Sequence, residues 1–149
     1  MAKAIDKSQT LRTAIKLVND KVNFEGNVEG NPPVSIDYFP PFGDNLGYTS
    51  LELFLLSLTS CMGTALLIIL RKMKKEITFF EMLAEGERRK EQPTGFEEIT
   101  IMIHVKTPNT TDAEMVKAIQ LMEPICPVLS MVNKKVEIHT MFKILPQED

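Results

Sequence analysis

The chain has 149 residues, enough for one domain with a substantial core. Hydrophobic residues make up 44% and charged residues 25%, the balance of an ordinary soluble globular protein. A net charge of −3 with no basic stripe excludes nucleic acid as the main partner, since nothing would offset phosphate desolvation.

The opening residues, MAKAIDKSQTLRTAIKL, hold no apolar run of the kind a secretory signal needs, so the cytoplasm is the expected compartment. Residues 13–19 and 21–28 alternate in part between apolar and polar. Asn19-Asp20 divides them as a turn. Residues 34–38, VSIDY, form a short third strand by the same pattern. The next stretch, 39–47, reads FPPFGDNLG. Its prolines remove donors and its glycines loosen the backbone, so it is an ordered loop carrying two aromatics.

Residues 51–73, LELFLLSLTSCMGTALLIILRKM, are the longest apolar stretch. Thr49 and Ser50 are good N-caps, and with Thr49 as cap Glu52 falls at N3, the spacing of a capping box. Arg71, Lys72, Lys74 and Lys75 suit the negative pole at the far end. Residues 53–70 carry no charge, which reaches the length of a membrane span. Ser57, Thr59, Ser60, Gly63 and Thr64 interrupt the hydrophobicity and no other segment resembles a span, so a buried core helix is expected and no membrane. A helix apolar on every face needs covering on every side. One small sheet cannot supply that area, so a second copy of the chain is expected to do so.

Residues 76–89 are strand-like, and Gln92-Pro93-Thr94-Gly95 makes a turn. Residues 97–106, EEITIMIHVK, alternate with Ile99, Ile101, Ile103 and Val105 on one face and His104 on the other. The two runs predict a hairpin. Thr111 then caps a second helix with Glu114 at N3, and Met115, Ala118, Ile119 and Met122 form its apolar stripe. Pro124 ends it. Cys126-Pro127 opens a short helical turn with proline at N1. Residues 134–145 close the chain as a strand, with Val136, Ile138, Thr140, Phe142 and Ile144 on one side and His139 on the other. Strands and helices are grouped rather than alternating, which predicts an α+β fold in a single domain over residues 1–149.

Chemistry is sparse. In a reducing compartment two cysteines are free, metal-bound or redox-active rather than a permanent bridge. Cys61 sits mid-helix. Cys126 sits at a helix start, where the positive pole predicts a lowered pKa. Either a redox pair or two inert core thiols fits these positions. The cysteines, His104 and His139 lack the close spacing of zinc ligands, and each histidine falls on the polar side of its strand, so no metal is expected. No phosphate-binding glycine loop and no nucleophile elbow is present, and no cofactor is expected.

The stretch Tyr48-Thr49-Ser50-Leu51-Glu52-Leu53-Phe54-Leu55-Leu56-Ser57-Leu58-Thr59-Ser60-Cys61 resembles the S/T-P-x-E-L-L-L-x-A-L-x-x-C signature of the OsmC/Ohr family. Cys126-Pro127-Val128 is similar to that family's second-cysteine motif, and the separation of 65 residues and the order of elements fit over nearly the whole chain. The resemblance implies an intertwined homodimer of α+β subunits, its long central helices buried on antiparallel sheets. It also implies reduction of organic hydroperoxides by two cysteines. Cys61 would be the peroxidatic thiolate, leaving a sulfenic acid, and Cys126 would resolve it as a disulfide that an external dithiol reopens. Two other functions fit the same sequence: a non-enzymatic dimer binding a small lipophilic ligand in an apolar interface pocket, and a structural or interaction module with no pocket. Two departures stand out. The family's acidic residue lies ten places before the first cysteine, a position held here by Leu51, whereas Glu52 is nine before. Nine helical residues span roughly 13 Å, so Glu52, the third candidate catalytic residue, would act as a cap or across an interface. The family's N-terminal arginine has only Arg12 as a counterpart before the helix, with Lys16 and Lys21 as substitutes.

Overall fold

The computed structural model describes residues 6–147, which form two compact units divided at Leu53 and Phe54. The first unit carries three short strands, β1 (Ala14–Leu17), β2 (Phe24–Asn27) and β3 (Val34–Ile36). They form an antiparallel sheet in the order β1-β2-β3, with Leu17 opposite Phe24 and Phe24 opposite Ile36. The strands are shorter than the alternation suggests. Asn19 explains the first break, because its side-chain oxygen accepts from the backbone N–H groups of Lys21 and Asn23, both at 3.0 Å. Asn23 is itself buried, and its side-chain amide donates to the Ser35 hydroxyl and the Ile36 carbonyl.

The loop after β3 is ordered, as its sequence predicts, and the organising residue is Asp37. Its buried carboxylate accepts from the backbone N–H groups of Tyr38 at 2.7 Å, Asp44 at 3.2 Å and Leu46 at 3.1 Å. Burial pushes this carboxyl up, and the three N–H groups with Lys21 outweigh it, so its pKa lies below the ordinary value. Gly43 is required here because a Cβ would sit 2.2 Å from the Tyr38 carbonyl oxygen. Lys21 closes the loop from outside with a 2.6 Å ion pair to Asp44. The Tyr38 and Phe39 rings stack at 4.0 Å between centroids.

Helix α1 spans Ser50–Lys72, starting in the first unit and running on in the second. The capping box forms as the spacing predicts: the Thr49 N–H donates to the Glu52 carboxylate at 2.8 Å, and the Glu52 N–H donates to the Thr49 hydroxyl at 3.2 Å. At the other end Lys74 takes the left-handed conformation at φ 63°, and the Lys75 N–H reaches back to the Leu70 carbonyl at 2.9 Å. Asn109 clips this turn by accepting from the Glu76 N–H and donating to the Lys74 carbonyl.

The second unit adds β4 (Phe79–Arg88), β5 (Phe96–Lys106) and β6 (Glu137–Ile144) in the order β4-β5-β6. β4 and β5 pair antiparallel as the predicted hairpin, from Phe79 opposite Lys106 to Arg88 opposite Phe96, with a bulge at Glu87/Arg88. β6 pairs with β5 in parallel, Glu98 opposite Glu137 and Ile103 opposite Phe142. The expected antiparallel arrangement is therefore corrected for this edge. The connection passes through α2 (Asp112–Met122), a 3-10 turn and α3 (Pro127–Ser130), a crossover that returns the chain to the same end of the sheet.

The core joins Ile99, Ile101, Ile103 and Val105 of β5 with Met115, Ala118, Ile119 and Met122 of α2. From α1 it takes Leu58, Met62, Leu66 and Leu70, a stripe of one residue in every four. Each such fully buried side chain contributes about 1.5–3 kcal/mol. Gly63 lets α1 approach β4, because a Cβ there would meet the Met82 sulfur at 3.1 Å and the Phe80 ring at 3.4 Å. Only this side of α1 is buried within one chain. Leu56, Ser60, Thr64 and Ile68 lie on the opposite side and are exposed. By length and composition α1 is the one helix among the described residues that could cross a membrane. The exposed hydroxyls are turned onto the helix's own carbonyls: Thr64 donates to Ser60 at 2.7 Å and Ser60 to Ser57 at 3.1 Å.

Candidate functional site

Cys61 lies midway along α1, next to the buried stripe and half-buried itself. Cys126 arrives from the crossover. α2 begins on a full capping box at Thr111 and Glu114, and Lys75 holds the Glu114 carboxylate at 2.8 Å. That anchoring fixes where the helix ends. Pro124 turns the chain into one 3-10 turn, and Cys126 follows in extended conformation as the N-cap of α3, with Pro127 at N1. The Cys126 carbonyl accepts from the Ser130 N–H at 3.0 Å, closing the short helix.

This brings two thiols 65 residues apart into contact. The Cys126 sulfur donates to the Cys61 sulfur at 3.1 Å, and both cysteines are free. A disulfide needs about 2.05 Å, so the sulfurs stand roughly 1 Å beyond bonding distance. Their surroundings are apolar. Cys126 belongs to the fully buried core, and Cys61 packs against it with Val128 and Leu129.

The helix-start position of Cys126 predicts a lowered pKa, and the structure reverses that expectation. Burial pushes the Cys126 thiol up first, and its hydrogen bond to Cys61 adds to the rise. The backbone N–H groups of Leu129 and Val128 pull the other way and are outweighed. Sequence shows that a residue caps a helix but not that water is excluded from it.

Glu52, the third residue singled out from sequence, has its hydrogen bonds with Thr49. The Thr49 backbone N–H first, and the Thr49 hydroxyl second, hold the Glu52 carboxyl below its ordinary value. The histidines stand on the outer face of the sheet, as expected. His104 pairs with Glu81 at 3.1 Å, and His139 with Glu98 at 3.0 Å and Glu137 at 3.6 Å. Among the described residues, Glu98, Glu137 and His139 are the group whose ligand atoms converge enough to hold a metal, all within 4.8 Å. The sequence hides this convergence because it depends on the parallel register of β6. Two clefts of about 300 and 420 Å³ lie on the first unit, lined by Arg12 and Thr13 in one and by Gly26, Val34 and Ile36 in the other. Neither lining includes a cysteine.

A family model described as OsmC-like protein matches residues 43–141. Among solved structures, a hypothetical protein from Aquifex aeolicus VF5 is similar at 22% identity and a TM-score of 0.81, covering 94% of this chain and 99% of that one. The organic hydroperoxide resistance protein OsmC from Legionella pneumophila is similar at 13% identity and a TM-score of 0.70, covering 93% and 100%. The organic hydroperoxide resistance protein OhrB of Bacillus subtilis is similar at 17% and 0.64, covering 90% and 98%. At these identities the likeness is one of fold. No curated protein matches the chain.

Proposed function

The chain belongs to the OsmC-like protein family, and on that premise we propose that it is a thiol-dependent peroxidase that reduces organic hydroperoxides through a two-cysteine cycle. The observation that carries this reading is the 3.1 Å contact of two free thiols across 65 residues. Cys61 is the sulfur with an open side, so it takes the first step. Its thiolate attacks the distal oxygen of the hydroperoxide, the O–O bond breaks, and the departing alkoxide takes a proton from water to leave as the alcohol. Cys61 is left as a sulfenic acid. Cys126 then forms the disulfide and water departs. An external dithiol reopens the bridge by exchange. The leucine, methionine and isoleucine side chains of the surrounding core favour an alkyl or fatty-acyl hydroperoxide over hydrogen peroxide. The names of the Legionella and Bacillus neighbours concern organic hydroperoxides and support the same substrate class.

In this reading the working form is a homodimer in the cytoplasm. The exposed Leu56 and Ile68 of α1, and Val116 and Leu121 of α2, support self-association. Free thiols suit a reducing compartment. Addition of one equivalent of cumene hydroperoxide should remove both free thiols of each chain, and dithiothreitol should restore them. Cys61→Ser should abolish turnover. Turnover of that variant at the parent rate would refute the peroxidase reading. Thiols inert to peroxide, with a ligand retained in native mass spectrometry, would replace it with a binding role.

A further inference from the structure

The two sulfurs are unequal partners. Cys61 lies in the middle of a helix, where backbone N–H groups are consumed by carbonyls four residues back and none is left for a side chain. Among the described residues, the one hydrogen-bond partner of its sulfur is Cys126. Cys126 is fully buried, and its side chain makes no cap bond to the start of α3. We infer that the Cys126 thiol is the hydrogen-bond donor that holds the charge of the Cys61 thiolate, and that its proton leaves with the sulfenic oxygen as water when the disulfide closes.

The hydrogen bond between the sulfurs runs one way, from the Cys126 thiol to Cys61 at 3.1 Å. The proton stays on Cys126 because that sulfur is shut away from water, as its raised pKa agrees. Negative charge therefore falls on the sulfur with access to an oxidant. Protonation would handicap Cys126 as a nucleophile in the second step, and the sulfenic hydroxyl removes the handicap. As the S–S bond forms, the S–O bond of Cys61 breaks. The Cys126 sulfur is oxidised and the Cys61 sulfur reduced, and the Cys126 proton joins the departing hydroxyl to make water. This second half rests on the peroxidase reading. The first half does not.

Alkylation of Cys61 by iodoacetamide at pH 7, read by peptide mass spectrometry without peroxide, tests the donor. Cys126→Ser keeps an O–H donor and Cys126→Ala removes it. The serine variant should react within about threefold of the parent and the alanine variant about tenfold or more slower, the effect of one hydrogen bond to a charged group. Equal rates for serine and alanine would overturn the proposal. If alanine prevents folding, Cys126→Thr against Cys126→Val asks the same question with matched shapes. A dimedone trap after cumene hydroperoxide separates the two readings. If alkylation distinguishes the variants but no sulfenic acid forms in either, the donor role stands and the peroxidase falls.

Discussion

Glu52 offers a direct test of whether an acidic residue nine places before a cysteine serves chemistry or the helix. Both of its hydrogen bonds run to Thr49, at 2.8 and 3.2 Å, and they satisfy two N–H groups that the start of α1 would otherwise leave open. Thr49→Ala removes the hydroxyl half of the box and should cost about 1 kcal/mol. In a chain of this size that is a fall of about 2–4 °C in Tm, seen by circular dichroism or scanning calorimetry. Glu52→Ala should lower Tm in the same direction. The double variant should lose less than the sum, because the two side chains form one reciprocal unit. Glu52→Gln keeps an acceptor at N3 and removes only the charge, so Tm should stay near the parent. Its rate of thiol oxidation by cumene hydroperoxide should remain within about twofold, since the charge is spent on a backbone N–H. A loss of a hundredfold or more in Glu52→Gln, with Tm unchanged, would refute the reasoning and make the carboxylate part of the reaction.

Gly63→Leu should destabilise by about 1–3 kcal/mol or more, because its Cβ alone would crowd the Met82 sulfur and the Phe80 ring; urea unfolding measures it, and an unchanged midpoint would show that α1 and β4 are not held at this spacing. Asn109→Ala removes the bonds to Glu76 and Lys74 that finish α1, and should cost about 1–2 kcal/mol in the same assay. The carboxyls of Asp37, Glu52 and Glu114 are all held below their ordinary values, through backbone N–H groups that outweigh burial, the Thr49 backbone and the Lys75 ammonium respectively. The unfolded chain then binds more protons than the folded one, so their stabilisation is present above the ordinary values of 3.8 and 4.5 and is lost as pH falls through the folded ones. Melts at descending pH should show stability dropping below pH 4.5, and a flat profile between pH 5 and 2.5 would contradict these assignments.

Much of this architecture can be read locally. The Thr49/Glu52 and Thr111/Glu114 spacings name both helix starts, and the Ile99 to Val105 alternation names the buried face of β5. These features depend on neighbours within a few residues. What failed to show depends on distant partners. Alternation in 134–145 gives the faces of β6 but carries no information about its direction, so the parallel pairing was invisible. The role of Asp37 was missed because its three N–H partners are defined only once the loop has closed, although an aspartate just before a Pro-Pro-Phe-Gly turn was a usable signal. The thiol pair stood out as two positions in sequence. Its asymmetry came from burial, which one-dimensional periodicity does not assign to a cap residue.

The β4–β5 hairpin lies wholly between Cys61 and Cys126 along the chain. A covalent link between those sulfurs would close a ring of about 66 residues around it, and the loop-entropy relation puts the lost freedom of the denatured chain at about 4 kcal/mol. Oxidised molecules should therefore outlast reduced ones under heat or protease. A population in which that link had formed would keep a durable record of the event until a reductant erased it.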